Sequence, residues 1–219
     1  GLNIASKKLN VPIVSGNVSF YNETNGLNIP PTPQIGAIGV IEDYRKTVSY
    51  NSQQINDSLY LIGNTLGHLS NSCYERCFYN FSDILENSLP PNVILEDEIN
   101  NAATVLSLID EDLITACHDL SDGGLIVAII EMCLGGKNSI KFNNISTKHS
   151  FLFGEDQSRY LVSVSEKNIN KLEFKLKKNK IHFKKVGRII SDNGILNFPD
   201  KSYINIDNLK KLIKNKIKE

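Results

Sequence analysis

The stretch GGLIVAIIEMCLGG, residues 123–136, restricts the fold of this chain more than any other. It is apolar on nearly every side and bracketed by glycine pairs. As a helix it has almost no wet face, so other elements must cover it. A chain of 219 residues can supply that cover, as one large domain or two small ones. The surrounding pattern suggests what the cover is. Residues 58–63, SLYLIG, and 113–119, LITACHD, read as strands, and 158–165, SRYLVSVS, alternates as a strand does. IHFKKVGRII and GILNFP read as strands around an Asp192-Asn193-Gly194 turn. A helix is expected within 69–81. A second follows Pro90 and Pro91, with Ile99, Ala102, Ala103, Leu106 and Ile109 at helical spacing, and a third lies in KNINKLEFKLKKNK. The order β-α-α-β-α-β-α-β-β implies an α/β (α+β) sandwich.

Upstream, VPIVS (11–15) reads as a buried strand and IGAIGVIE (35–42) as a second strand beyond a long loop, with Gly36 and Gly39 allowing close backbone approach. The polar run DYRKTVSYNSQQIND is the best linker candidate and sets a boundary near residue 54. Three parts result: 1–54, 55–200 and a basic helical tail, 201–219. The opening GLNIASKKLN resembles the last turns of an amphipathic helix without an N-cap, so a fragment of a longer polypeptide is expected. Lys and Arg number 24, as do Asp and Glu, so nothing global points to nucleic acid or an acidic partner. No apolar run approaches the roughly 20 residues of a membrane span, and no signal peptide opens the chain. The four cysteines lack the spacing of a secreted scaffold and read as reduced thiols, which implies a cytosolic compartment.

Two clusters carry candidate chemistry. In SGNVS, at the end of the first strand, Gly16 lets backbone N–H groups approach an anion. The Asn17 amide oxygen is a hard ligand for Mg²⁺, and the Ser19 hydroxyl can meet a polar substrate. The same residues also make a simple turn. In HDLSDGGL, Asp119 can bind a metal and Ser121 a phosphate beside a helix N-terminus, or Ser121 or Asp122 can merely cap that helix. FGEDQSRY reads as a loop with a surface ion pair. His68, Cys73 and Cys77 fall short of a four-ligand zinc pattern. No Ser/His/Asp triad signature, P-loop or dinucleotide fingerprint is present.

Taken in order, PIVSGNVSFYNET, IPPTPQIGAIGVIED, HDLSDGGLIVAIIEM and LFGEDQSRYLVSVS resemble the phosphoribosylformylglycinamidine synthase family, small-type synthetase subunit, over about residues 1–198. The resemblance implies the later part of a second ATP-binding N-terminal domain in 1–54. It implies an aminoimidazole ribonucleotide synthase-like C-terminal domain in 55–200. It also implies an ATP-dependent ligase of purine biosynthesis, in which ammonia from a glutaminase subunit displaces phosphate from an activated formamide. A small accessory subunit and the N-terminal half of the same polypeptide are its implied partners. Carried over by position, Gly16 would contact ATP, Asn17 would bind Mg²⁺ and Ser19 would contact the substrate. Asp119 and Ser121 would line an auxiliary metal–nucleotide site. With the first half lacking, the isolated chain is expected to be inactive. HLSNSCYERC departs from the family's glycine-rich GGSEY loop. The alternatives are a truncated interaction module and a sister ATP-dependent synthetase of the same superfamily.

Overall fold

The structure, a computed structural model, describes all residues except 18–20, 80–87, 192–193 and 217–219. The chain divides into two compact units, Gly1–Arg45 and Lys46–Glu219.

The first unit contains helix α1 (Leu2–Lys8) and a two-stranded ribbon, β1 (Glu23–Thr24) with β2 (Leu27–Asn28). Asn25 and Gly26 link the strands with φ of 53° and 77°. Two successive left-handed residues match the right-handed twist of a hairpin, which is why Asn-Gly serves here. The strands expected at 11–15 and 35–42 do not form: both segments lie outside the assigned strands and pair with none among the described residues. Val14 is 90% exposed, Val40 91% and Ile38 101%. A β-rich apolar run becomes a strand only beside a neighbour that completes its ladder, and the described residues of this unit supply none. An added Cβ at Gly36 or Gly39 would meet nothing within 4 Å, so the close approach expected there is absent.

The second unit is built on a five-stranded, wholly antiparallel sheet of order β4-β6-β3-β7-β5. Its strands are β3 (Ser58–Ile62), β4 (Ala116–Asp119), β5 (Asn138–Phe142), β6 (Tyr160–Val164) and β7 (Phe183–Ser191). Every residue of β3 is buried. Successive side chains point to opposite faces, so Leu59 and Leu61 join one core while Tyr60 and Ile62 join another. The first core is covered by helix α4 (Gly124–Gly136), through Leu125, Ile126, Ile129, Met132 and Cys133. The second is covered by α3 (Leu95–Asp110) and α6 (Ile169–Lys178), through Val105, Leu108, Leu172 and Leu176. The sheet is thus sandwiched between helices. Between α4 and β6 lies a short helix, α5 (His149–Phe153), and α2 (Cys73–Phe78) follows β3.

Helix α3 is rotated from its expected face. Its buried residues are Asn101, Thr104, Val105 and Leu108, whereas Leu106 is exposed. Two polar side chains are tolerated inside because each has a partner. Asn101 Nδ2 donates to Ser158 O at 2.8 Å, and Thr104 Oγ1 accepts from Asn179 Nδ2 at 3.1 Å. Strand β5 was not evident from the sequence. IHFKKVGRII and GILNFP do not form a hairpin either: β8 (Ile195–Asn197) pairs with β9 (Tyr203–Asn205), and β7 pairs with β3 and β5. Asp192 and Asn193 lie outside the described residues. The basic tail is tied into the first core, since Ile206 at the start of α7 (Ile206–Lys216) is fully buried.

Residues 46–53, read as linker, pack within the second unit. Gln53 is buried and donates through Nε2 to Met132 O at 2.6 Å and Asn138 Oδ1 at 3.3 Å. A Cβ on Gly135 would lie 2.8 Å from Asn51 Cβ. The second glycine pair of α4 therefore admits this crossing segment.

Candidate functional site

Strand β4 delivers His118 and Asp119 to the rim of the sheet. Leu120 then turns inward, donating its N–H to Arg159 O at 3.0 Å. Ser121 and Asp122 are exposed, and Gly123 and Gly124 lead into α4 with φ of 78° and 67°. Both glycines are required. A Cβ on Gly123 would sit 2.3 Å from Val127 Cγ2, and one on Gly124 would sit 2.5 Å from Gly154 O. The side chain of Asp119 is 70% exposed, with Oδ1 3.3 Å from His118 Nδ1. His118 is itself held by Glu131, Nε2 to Oε2 at 2.9 Å, and by the Tyr50 ring at a 5.2 Å centroid distance. The turn thus presents an open carboxylate and an exposed hydroxyl next to a helix start. Neither Ser121 nor Asp122 caps α4: the N-cap is Gly123, without a side-chain cap bond.

The loop 154–159, expected to carry a surface ion pair, is instead a buried hub. Asp156 and Arg159 are both buried. Asp156 accepts three backbone N–H groups: Leu66 at 3.0 Å and Gly67 at 2.9 Å on Oδ2, and His68 at 3.1 Å on Oδ1. Arg159 donates Nε to Asp156 O and Nη2 to Gly154 O, with Nη1 3.9 Å from Asp156 Oδ2. Burial lowers the guanidinium pKa, and Asp156 and Glu155 oppose that shift. Glu155 Oε1 accepts the N–H groups of Cys73 and Gly123, both at 2.8 Å. The sequence offers no local signal for these bonds.

Among the described residues, ligand atoms of Cys73, Asp122 and Glu155 lie within 4.8 Å of one another. His68 Nε2 is instead 2.9 Å from Leu89 O, and neither His68 nor Cys77 joins that group. Burial raises the Cys73 thiol pKa. The Arg76 hydrogen bond opposes that shift, and the charges of Glu155 and Asp122 add to it. A cleft of about 500 Å³ opens beside the hub, lined by Asn64, His68, Asn92, Asp97, Asp156 and Gln157 among others. It includes His68 and the loop residues Asp156 and Gln157, but not Gly16, Asn17, Asp119 or Ser121.

Gly16 and Asn17 belong to the first unit. Both are exposed and lie outside any strand, and a Cβ on Gly16 would meet nothing within 4 Å. Ser19 lies outside the described residues. Asp119 and Ser121 belong to the second unit, on one turn.

A helix-covered antiparallel sheet with a glycine-pair turn between β4 and α4 defines the class. The C-terminal domain of AIR synthase related proteins matches residues 54–196, and the chain belongs to that family. Within it, the likeness is to PurL, a subunit of phosphoribosylformylglycinamidine synthase. The Pelagibacter ubique PurL is 39% identical over 214 residues, covering 96% of this chain and 28% of the relative. The Bartonella bacilliformis PurL is 41% identical over 194 residues, covering 88% and 26%. The chain therefore spans about a quarter of the length of these curated relatives. Among solved structures, Thermotoga maritima PurL complexed with FGAR aligns with a TM-score of 0.60 at 14% identity, over 76% of this chain and 30% of that one. The same protein complexed with ATP gives 0.57 at 13%, over 76% and 27%. At these identities the likeness is one of fold.

Proposed function

We propose that this chain forms part of a ligase that couples ATP cleavage to amidation of formylglycinamide ribonucleotide in cytoplasmic purine synthesis. ATP activates the formamide oxygen, and ammonia displaces the phosphate, giving the amidine, ADP and phosphate. The observation that carries this reading is 39% identity to a PurL over 96% of the chain. In it, Gly16 lies against ATP, Asn17 supplies one oxygen to Mg²⁺ and Ser19 contacts the substrate. Asp119 and Ser121 serve an auxiliary metal–nucleotide site. The donor chemistry fits: Mg²⁺ takes one or two protein oxygens and completes its shell with phosphate and water. The exposed Asn17 amide and the open Asp119 carboxylate can each offer one. The thiol-bearing group at Cys73 suits a hard cation less. When bound, Mg²⁺ offsets charge on the phosphoryl oxygens. Ser121 offers its hydroxyl beside the positive end of the 13-residue α4. A glutaminase, a small accessory subunit and the remaining length of PurL complete the assembly. A Thermotoga maritima PurLQS structure with the same fold supports such an assembly.

A chimera tests the reading. The matching stretch of the Pelagibacter ubique protein is replaced by this chain, and ADP release is followed with ATP, Mg²⁺, ammonium and the formyl substrate. Substrate-dependent ADP release is expected. Asn17→Ala in that chimera should lower kcat/KM for ATP by about 10²-fold, with partial recovery at high Mg²⁺. A chimera that folds and binds ATP yet releases no ADP overturns the proposal.

A further inference from the structure

We infer that Glu155 is a positioning residue for the Ser121 turn, acting on the N-terminus of α4 from a distant loop. The inference rests on the reading of that turn as nucleotide-contacting. In a capping box, a Glu at the third helical position reaches back to the N-cap N–H. In α4 the third position is Ile126, which is buried in the apolar core and has no acceptor to give. Glu155 Oε1 takes the role across 32 residues, accepting the Gly123 N–H at 2.8 Å. The same oxygen accepts the Cys73 N–H, so the turn and the start of α2 share one anchor.

The anchor is fixed in its own right. Glu155 N–H donates to His68 O at 2.9 Å, and the carbonyl of the preceding Gly154 fills the space where a Gly124 Cβ would go. Backbone contact at Gly124 and carboxylate contact at Gly123 thus place consecutive residues of the turn. The Ser121 hydroxyl makes no cap bond to α4, and Ser121 stays exposed beside the helix start. The negative charge of Glu155 is favourable at a helix N-terminus. With Asp122 it also disfavours a bare anion, which selects a nucleotide that arrives with its divalent cation.

Titration of the 219-residue chain with Mg²⁺–ADP tests the inference, with variants compared at a temperature where all are folded. Glu155→Ala should weaken binding about tenfold or more, because both amides lose their acceptor and the turn moves. Glu155→Gln keeps an acceptor oxygen and should stay within about threefold. Leu176→Ala, fully buried on the opposite face of the sheet, is a control for stability alone and should leave affinity unchanged. Hydrogen exchange of the Gly123 and Cys73 amides should quicken in Glu155→Ala with or without ADP. Should Glu155→Ala not fold, Glu155→Asp, shorter by one methylene, should show the same loss in part. Wild-type binding that Glu155→Ala retains, or loses no more than Leu176→Ala does, overturns the inference alone. A wild-type chain that does not bind Mg²⁺–ADP overturns the reading of the turn and the inference together.

Discussion

Residues 1–45 and 46–219 are both rich in aliphatic side chains, yet they end in opposite states. In the first unit Val14, Ile38 and Val40 are almost wholly exposed. In the second, Leu59, Leu61, Ile129 and Leu161 are buried to 2% or less. Aliphatic content does not separate them. The difference is whether a segment finds a hydrogen-bonded neighbour and a covering helix within the described chain. β3 has a strand on each side and helices above and below. Residues 35–42, with a similar apolar pattern, have no strand partner among the described residues. Burial is a property of the pair, not of the residue.

Limited proteolysis should expose the contrast most strongly. Cleavage within the described part of residues 1–45 should run about a hundredfold or more faster than within the described strands and helices of 58–216. Preferred cutting inside 124–136, or in the packed segment 46–57, would break the comparison. A smaller but still large effect is expected for Arg159→Met in the second unit. It strips the hub of a buried cation and leaves Asp156 without its neighbouring charge, which costs about 3–5 kcal/mol. Chemical denaturation reads this as a lower midpoint, and a loss below about 1 kcal/mol would place the hub outside the cooperative core.

The next effect depends on pH. Burial, with Asp119 adding, pushes the Cys117 thiol up to about 12. An unfolded thiol titrates near about 8.5. The raised value means the folded state holds its proton longer, so this contribution is complete below about pH 8.5 and is lost as pH rises toward 12. Urea midpoints between pH 8 and 10 should fall less steeply in Cys117→Val, by up to about 1.4 kcal/mol per pH unit. Identical slopes would show that the thiol is not sequestered. The smallest effect belongs to Ile38→Ser, which should change the stability of this chain by less than about 0.5 kcal/mol. A larger loss would mean that residues 35–42 are covered in solution.

What could be read from the sequence follows the same division. The apolar helix at 124–136 and the strands at 58–62, 116–119 and 160–164 announce themselves, because their periodicity reports a local geometry. The turn between β4 and α4 was legible too, since strand, polar pair, glycine pair and helix follow one another. The buried face of α3 was not: Asn101 and Thr104 look wet until Ser158 and Asn179 are known to meet them. Nor was the role of Glu155, whose two amide partners lie 32 and 82 residues away. Strand β5, NSIKF, is too short and too polar to stand out, and its identity as a strand comes from pairing with β7. The segments at 11–15 and 35–42 show the converse: their pattern states a preference that only a neighbour can satisfy.

The order of the central sheet carries a consequence for synthesis. β3 is the first strand of the second unit to leave the ribosome, yet it occupies the middle of the sheet, where Ser58 pairs with Val164 on one side and Arg188 on the other. At the usual pace of translation, both neighbours follow on the order of ten seconds later. Through that interval SLYLI, uncharged and β-prone, has neither edge closed. Closure must wait for β7 to emerge, so the nascent chain passes through a stage in which its most buried strand is its most adhesive one. A chaperone that shields short apolar segments would act on this protein there, and truncations ending before Ser191 should aggregate during expression instead of accumulating as soluble pieces.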